Sequence, residues 1–194
     1  MKLVTPSLPL GVTLIFNLVY FRADSVIITL TRPTAEVGVY GLAYKIFEVV
    51  LVFPTFFMNA VYPFMIQKTR DMKKIFFRSA LFLFLVSCLV LLVLWIAAPL
   101  VSLINIDFTL SVNALRVLSL GLPFFFVTSA TMWALIAVNK QTALAVIYGA
   151  SMIINIVGNI LLVPHYGYMA AAWLTVGCEG LVLVCSGILL RNKL

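Results

Sequence analysis

The sequence predicts an all-α polytopic membrane protein, a bundle of six transmembrane helices, and three observations carry that prediction. Of the 194 residues, 64% are hydrophobic and 10% are charged, whereas a soluble domain carries about 25% charged residues. A globule of this size has too little interior for so many apolar side chains, so the surrounding medium must itself be apolar. The apolar residues also fall into six runs, each long enough for the roughly 20 residues that cross a bilayer at about 1.5 Å per residue. Finally, 13 Lys and Arg against 6 Asp and Glu give a net charge of +7. Most of the basic residues stand in short connections, as membrane topology requires, and not on one basic face that would announce a nucleic-acid partner.

The first span is expected over 8–31. Lys2 ahead of an apolar run imitates a secretory leader, but Arg22 and Asp24 occupy the place of a small-residue cleavage site, so the run is read as a span. The second, 36–66, is longer than a bilayer needs and holds Pro54 and Pro63, each of which removes a backbone donor and favours a kink. After the polar connection Gln67 to Lys74 come spans at 75–98, 113–137, 142–163 and 167–190. Gly149 and Gly158 in the fifth span, and Gly167, Ala170, Ala171, Ala172, Gly177, Gly180 and Gly187 in the sixth, are small residues expected to allow close helix packing. One membrane domain over 1–194 follows, surrounded by the lipid bilayer. Six spans put both termini on one side, together with Lys2, Lys68, Arg70, Lys73, Lys74, Arg78, Lys140, Arg191 and Lys193; only Arg32 and Arg116 lie opposite. The positive-inside rule therefore predicts a multi-pass protein of the cell membrane with cytoplasmic termini.

Several chemistries have no residues to support them. Cys88, Cys178 and Cys185 lie within apolar runs without a CxxC spacing, and His165 is the single histidine, so neither a disulfide framework nor a metal site is expected. No phosphate-binding loop and no HExxH is present. The expectation is a transporter without a cofactor and not an enzyme.

Arg22, Asp24, Lys45, Glu48 and Glu179 fall inside hydrophobic spans, where an ionised group costs about 2.5–3.5 kcal/mol on insertion scales. The first two spans form a hairpin turning near Pro33 and Thr34. Counted from that turn, Asp24 matches Lys45 in depth and Arg22 matches Glu48, so two interhelical ion pairs are geometrically possible. They either neutralise one another and fix helix register, or face a hydrated cavity and exchange partners. At about 100° per residue, Tyr40, Tyr44, Glu48, Thr55, Asn59 and Tyr62 share one arc of the second span. Ser151, Asn155 and Asn159 repeat the pattern in the fifth, Thr175, Glu179 and Ser186 in the sixth, and Asn17 and Asp24 in the first. Four polar lines converging in one bundle predict a polar cavity.

Phe21-Arg22-Ala23-Asp24, the run Gly38 to Glu48, Pro54, Leu115-Arg116-Val117-Leu118 with Pro123, Asn155 and Asn159 before Pro164-His165-Tyr166-Gly167, and Ala170-Ala171-Ala172 resemble the oligosaccharide flippases of polysaccharide and O-antigen biosynthesis. These belong to the superfamily of multidrug, oligosaccharidyl-lipid and polysaccharide exporters. The resemblance implies one lobe, the second, of a two-lobe transporter that moves polyprenyl-diphosphate-linked oligosaccharide to the outer leaflet by alternating access. It also implies a missing N-terminal six-helix lobe or a second chain as partner. Under it, Arg22, Lys45 and Arg116 meet the diphosphate, Tyr40, Tyr44, Asn59, Asn155 and Asn159 meet sugar hydroxyls, and Asp24, Glu48 or Glu179 binds a coupling proton or Na⁺. The alternatives are a lobe of a cation-coupled multidrug antiporter, for which an unpaired carboxylate is expected, and a non-transporting subunit or inactive fragment.

Overall fold

The computed structural model describes residues 4–67, 71–103 and 109–191. Helix α1 runs Val4–Thr31, α2 Thr34–Gln67, α3 Met72–Ala97, α4 Thr109–Leu120, α5 Leu122–Ala137, α6 Gln141–Tyr166 and α7 Tyr168–Arg191; a 3₁₀ turn, Ala98–Leu103, follows α3. There is no strand among the described residues. With α4 and α5 taken together, six helical segments among the described residues are long and apolar enough to cross a membrane.

Local chemistry sets the breaks. Helix α1 stops at Thr31 because the residue before Pro33 is sterically pushed out of the helical region. At 34 residues, α2 is about 51 Å long, well beyond the roughly 30 Å hydrocarbon core. The fourth span, expected as one helix, is divided at Gly121 into α4 and α5, and Pro123 sits in the first turn of α5. Proline is tolerated there because first-turn N–H groups have no intrahelical acceptor. Asn139 closes α5 in the left-handed conformation, φ 57°, with Lys140 N–H donating to Leu135 O at 2.9 Å and Asn139 N–H to Ile136 O at 3.0 Å. An Asn accepts this backbone more readily than most residues.

Helix α1 lies chiefly along α6, α6 along α7, α3 along α5, and α2 along α4 and α5. Gly149 and Gly158 make the close approaches expected of them. A Cβ on Gly149 would come within 2.9 Å of the Phe16 ring, and one on Gly158 within 2.8 Å of Leu174. The other small residues of α7 divide. Ala171 and Ala172 are buried, but Gly177 and Gly187 have nothing within 4 Å of a Cβ position. Close packing at those two glycines is thus corrected: they lie on a part of α7 that no neighbouring helix covers.

The α1–α2 and α6–α7 turns are tied together at one end of the bundle. Arg32 pairs with Glu36 (Nη2 to Oε1, 2.6 Å; Nε to Oε2, 3.0 Å). Arg32 Nη1 also donates to Pro164 O at 3.2 Å, and Tyr168 N–H donates to Glu36 Oε2 at 3.4 Å. The cation therefore caps the carbonyl end of α6 and the carboxylate caps the amide end of α7, each opposite the helix-dipole charge it complements. Gly167 passes between them at φ 69°, ψ −164°.

Candidate functional site

Two polar regions emerge where a single cavity was expected. The first is a closed cluster around Asp24, which is 1% exposed. Tyr40 Oη donates to Asp24 Oδ2 at 3.0 Å, the Thr175 hydroxyl donates to the same oxygen, and Asn159 Nδ2 donates to Oδ1 at 2.9 Å. Asn159 Nδ2 is also 3.1 Å from Asn155 Oδ1. The cluster thus draws on α1, α2, α6 and α7. Tyr20 and Tyr44 brace it, Tyr20 Oη donating to Thr175 O at 3.0 Å and Tyr44 Oη to Phe21 O at 2.7 Å. Asn155 Nδ2 and Asn159 Oδ1 are buried without a hydrogen-bond partner.

No cation pairs with Asp24 among the described residues, so the Asp24–Lys45 pair that depth alone made possible does not form. Lys45 Nζ lies 3.6 Å from Glu48 Oε2, and its side chain is 73% exposed. The two residues match in depth but not in azimuth. Tyr40 and Tyr44 turn inward, and the next residue, Lys45, is carried about 100° further round α2. The other depth-matched pair is present: Arg22 Nη2 lies 2.8 Å from Glu48 Oε1.

The second region is open. Because α1 packs mainly on α6, a groove of about 450 Å³ runs between α1 and α2, lined by Asn17, Phe21, Arg22, Glu48 and Thr55 with apolar neighbours. It adjoins an inner cavity of about 180 Å³ bounded by Thr13, Thr128, Ser129, Tyr148 and Glu179, the two sharing Leu14, Asn17, Phe21, Leu51 and Thr55. Glu179 is 2% exposed and has no cationic partner among the described residues. From the Arg22–Glu48 pair, the path leads inward to this carboxylate.

The remaining candidates fall on one side or the other of this division. Tyr40, Tyr44, Asn155 and Asn159 are buried and hydrogen-bonded within the closed cluster. They do not line the open groove: the buried carboxylate and neighbouring carbonyls claim the donors of Tyr40, Tyr44 and Asn159, and Asn155 accepts from Asn159. Asn59 is exposed and lines neither region. Pro54 interrupts the phase of α2, and beyond it only Thr55 of the polar arc reaches the groove, while Tyr62 packs on Trp133 at 4.7 Å. Arg116 is held elsewhere, its guanidinium 5.5 Å from the Trp95 ring centre, a cation–π contact. Sequence reasoning did not single out Thr128, Ser129 or Tyr148. The hydroxyls at 128, 129 and 131 of a strongly apolar helix were the available signal.

A buried carboxylate ringed by neutral donors and amide oxygens can exchange a proton or a small cation. An open groove with a guanidinium at its rim can hold an anionic group. Residues 9–161 match the family model described as MatE. No curated protein and no solved structure matches the chain.

Proposed function

Because the chain belongs to the MatE family, and is thus a membrane transporter of the exporter kind, we propose that it is one lobe of a flippase for lipid-linked oligosaccharide whose α1–α2 groove forms a wall of the substrate path. The observation that supports this is the exposure of charge at mid-depth. Arg22 and Lys45 are 55% and 73% exposed, although each lies more than two helical turns from its helix end. Each such group costs about 2.5–3.5 kcal/mol in hydrocarbon, a cost that water or a second protein body covering this face removes. A diphosphate crossing there meets Arg22 with bidentate geometry and Lys45 as a point charge. The covering body is a first six-helix lobe or a second chain, since a bulky glycan needs opposed walls and this lobe supplies one. In this reading both termini and the 67–74 connection face the cytoplasm of the cell.

The test reconstitutes the chain, with and without a first lobe, in liposomes carrying a fluorescent polyprenyl-diphosphate sugar, and measures protection from an external quencher. Movement is expected only with both lobes. Arg22→Gln and Lys45→Gln should each slow the diphosphate-linked substrate about 3- to 10-fold more than an uncharged analogue, the equivalent of about 0.7–1.4 kcal/mol in one charge-assisted contact. Flipping by the lone monomer, or equal slowing of both substrates, defeats the proposal.

A second reading, a lobe of a cation-coupled antiporter, is favoured by one specific observation: Asp24 and Glu179 are both buried without a cationic partner among the described residues. Extrusion of organic cations without glycolipid movement in the same liposomes would select it. The two readings share the coupling ion, for which Asp24, with the unmatched amide oxygen of Asn159 beside it, is the proposed seat.

Orientation is tested separately. In a cysteine-free background, Asp71→Cys should resist an impermeant thiol reagent added to intact cells, and Thr34→Cys should react. The opposite pattern reverses the orientation.

A further inference from the structure

The groove and the Asp24 cluster leave one polar cavity unused. Near the end of the α2–α3 hairpin a crevice of about 460 Å³ is lined by Asp71, Lys74, Ile75, Arg78 and Ser79 at the start of α3 and by Val61 and Phe64 of α2. It exists because α3 packs mainly on α5 and only lightly on α2. Lys74 and Arg78, one turn apart, present two cations to it. Neither forms an ion pair among the described residues, and Asp71 forms none with them. The crevice falls within the first two turns of α3, about 10 Å from the helix end, which is the level of the headgroup and upper acyl region.

From this arrangement we propose that the α2–α3 crevice binds the phosphodiester of an anionic glycerophospholipid. The phosphate lies against Lys74 and Arg78, and the first acyl carbons lie against Val61, Phe64 and Ile75. Among the described residues that line the crevice, two cations and one carboxylate leave one net positive charge, which a singly charged phosphodiester neutralises. A doubly charged phosphomonoester leaves an excess anion facing Asp71, so the site discriminates against phosphatidic acid. The apolar wall requires a lipid; a free phosphate has nothing to place there. Basic pockets between transmembrane helices are suited to headgroups by the same charge logic. The bound lipid would brace the end of α2 beyond its two prolines.

Native mass spectrometry of the full chain, released from micelles doped with phosphatidylglycerol, phosphatidic acid or phosphatidylcholine, reads the site directly. Phosphatidylglycerol should be retained most strongly, and Lys74→Gln/Arg78→Gln should lower its retention by about 10- to 30-fold, the loss for two interfacial cations. Lys140→Gln, a basic residue outside the crevice, should leave it unchanged. Val61→Trp fills the crevice with both charges intact and should also abolish retention, so the proposal stays testable should the double variant fold poorly. An effect of Lys140→Gln equal to that of the double variant would reduce the binding to general surface charge and overturn the proposal. So would displacement of the lipid by millimolar glycerol phosphate, or retention that survives Val61→Trp.

Discussion

Asp24→Asn is expected to leave the bundle folded while abolishing ion-dependent behaviour. The asparagine keeps the shape of the side chain: its oxygen can still accept from the Tyr40 and Thr175 hydroxyls, and its NH2 can donate to Asn159 once that amide turns its unmatched oxygen inward. Its contacts fall from charge-assisted to neutral strength, roughly half, and the attraction for a proton or Na⁺ disappears. The wild-type chain should melt at a higher temperature as Na⁺ is raised or as pH is lowered, whichever ion couples. In Asp24→Asn that dependence should vanish, and coupled transport should fall by about 100-fold, the equivalent of nearly 3 kcal/mol in ion affinity. Asp24→Leu makes the contrast, because it strands the buried Tyr40 hydroxyl at about 1–3 kcal/mol and takes one acceptor each from Asn159 Nδ2 and the Thr175 hydroxyl, which keep Asn155 O and Ala171 O, and should lower folded yield in detergent. An Asp24→Asn protein that still responds to Na⁺ or pH like the wild type would remove Asp24 from the coupling role and leave Glu179 as the remaining buried candidate.

Gly167→Ala should be the most destabilising single-methyl change in the chain. At φ 69° and ψ −164° the backbone lies in a region that is essentially glycine's alone, which costs an alanine about 1–3 kcal/mol. The new Cβ would stand 2.9 Å from Glu36 Oε2 and 3.5 Å from Arg32 Nη2, so the ion pair that caps α6 and α7 must shift as well. A total loss of about 2–4 kcal/mol is expected. Gly177→Ala, with open space around it and a helical backbone that alanine favours, should be neutral or slightly stabilising. The paired melting temperatures decide the matter; equal values for the two variants would mean that the Gly167 backbone relaxes freely.

Periodicity and depth made much of this architecture legible, and azimuth set the limit. The hydropathy of each run was enough to mark a membrane helix, and counting residues from Pro33 was enough to match Arg22 with Glu48. The same count matched Asp24 with Lys45, because depth along a hairpin says nothing of which way a side chain faces. That is decided by packing with α6 and α7, whose partners for Asp24 lie far away in the chain. The polar arc of α2 was sound up to Pro54 and misleading beyond it, since an interrupted helix loses phase, which is how Asn59 ends on the exposed surface. Polar residues of α6 and α7 were recognised as inward-facing. Their use as a closed hydrogen-bonded cluster depends on a carboxylate from another helix reaching them, and no local pattern encodes that. Arg116 read as a free cation because its partner, Trp95, lies across a connection whose course the sequence does not specify.

The Asp24 cluster also imposes an order of events during synthesis. Tyr40 is 16 residues downstream of Asp24, but Asn159 is 135 and Thr175 is 151 residues away. At a translation rate of about 5–20 residues per second, the carboxylate waits roughly 8–30 s after its own emergence before its last partner exists. For most of that interval α1 carries an acidic group with the Tyr40 hydroxyl alone to meet it, so its lasting commitment to the bilayer is deferred until α6 and α7 arrive. Premature termination anywhere before Thr175 leaves an incompletely satisfied carboxylate in the membrane, a defect by which membrane quality control can recognise an unfinished chain.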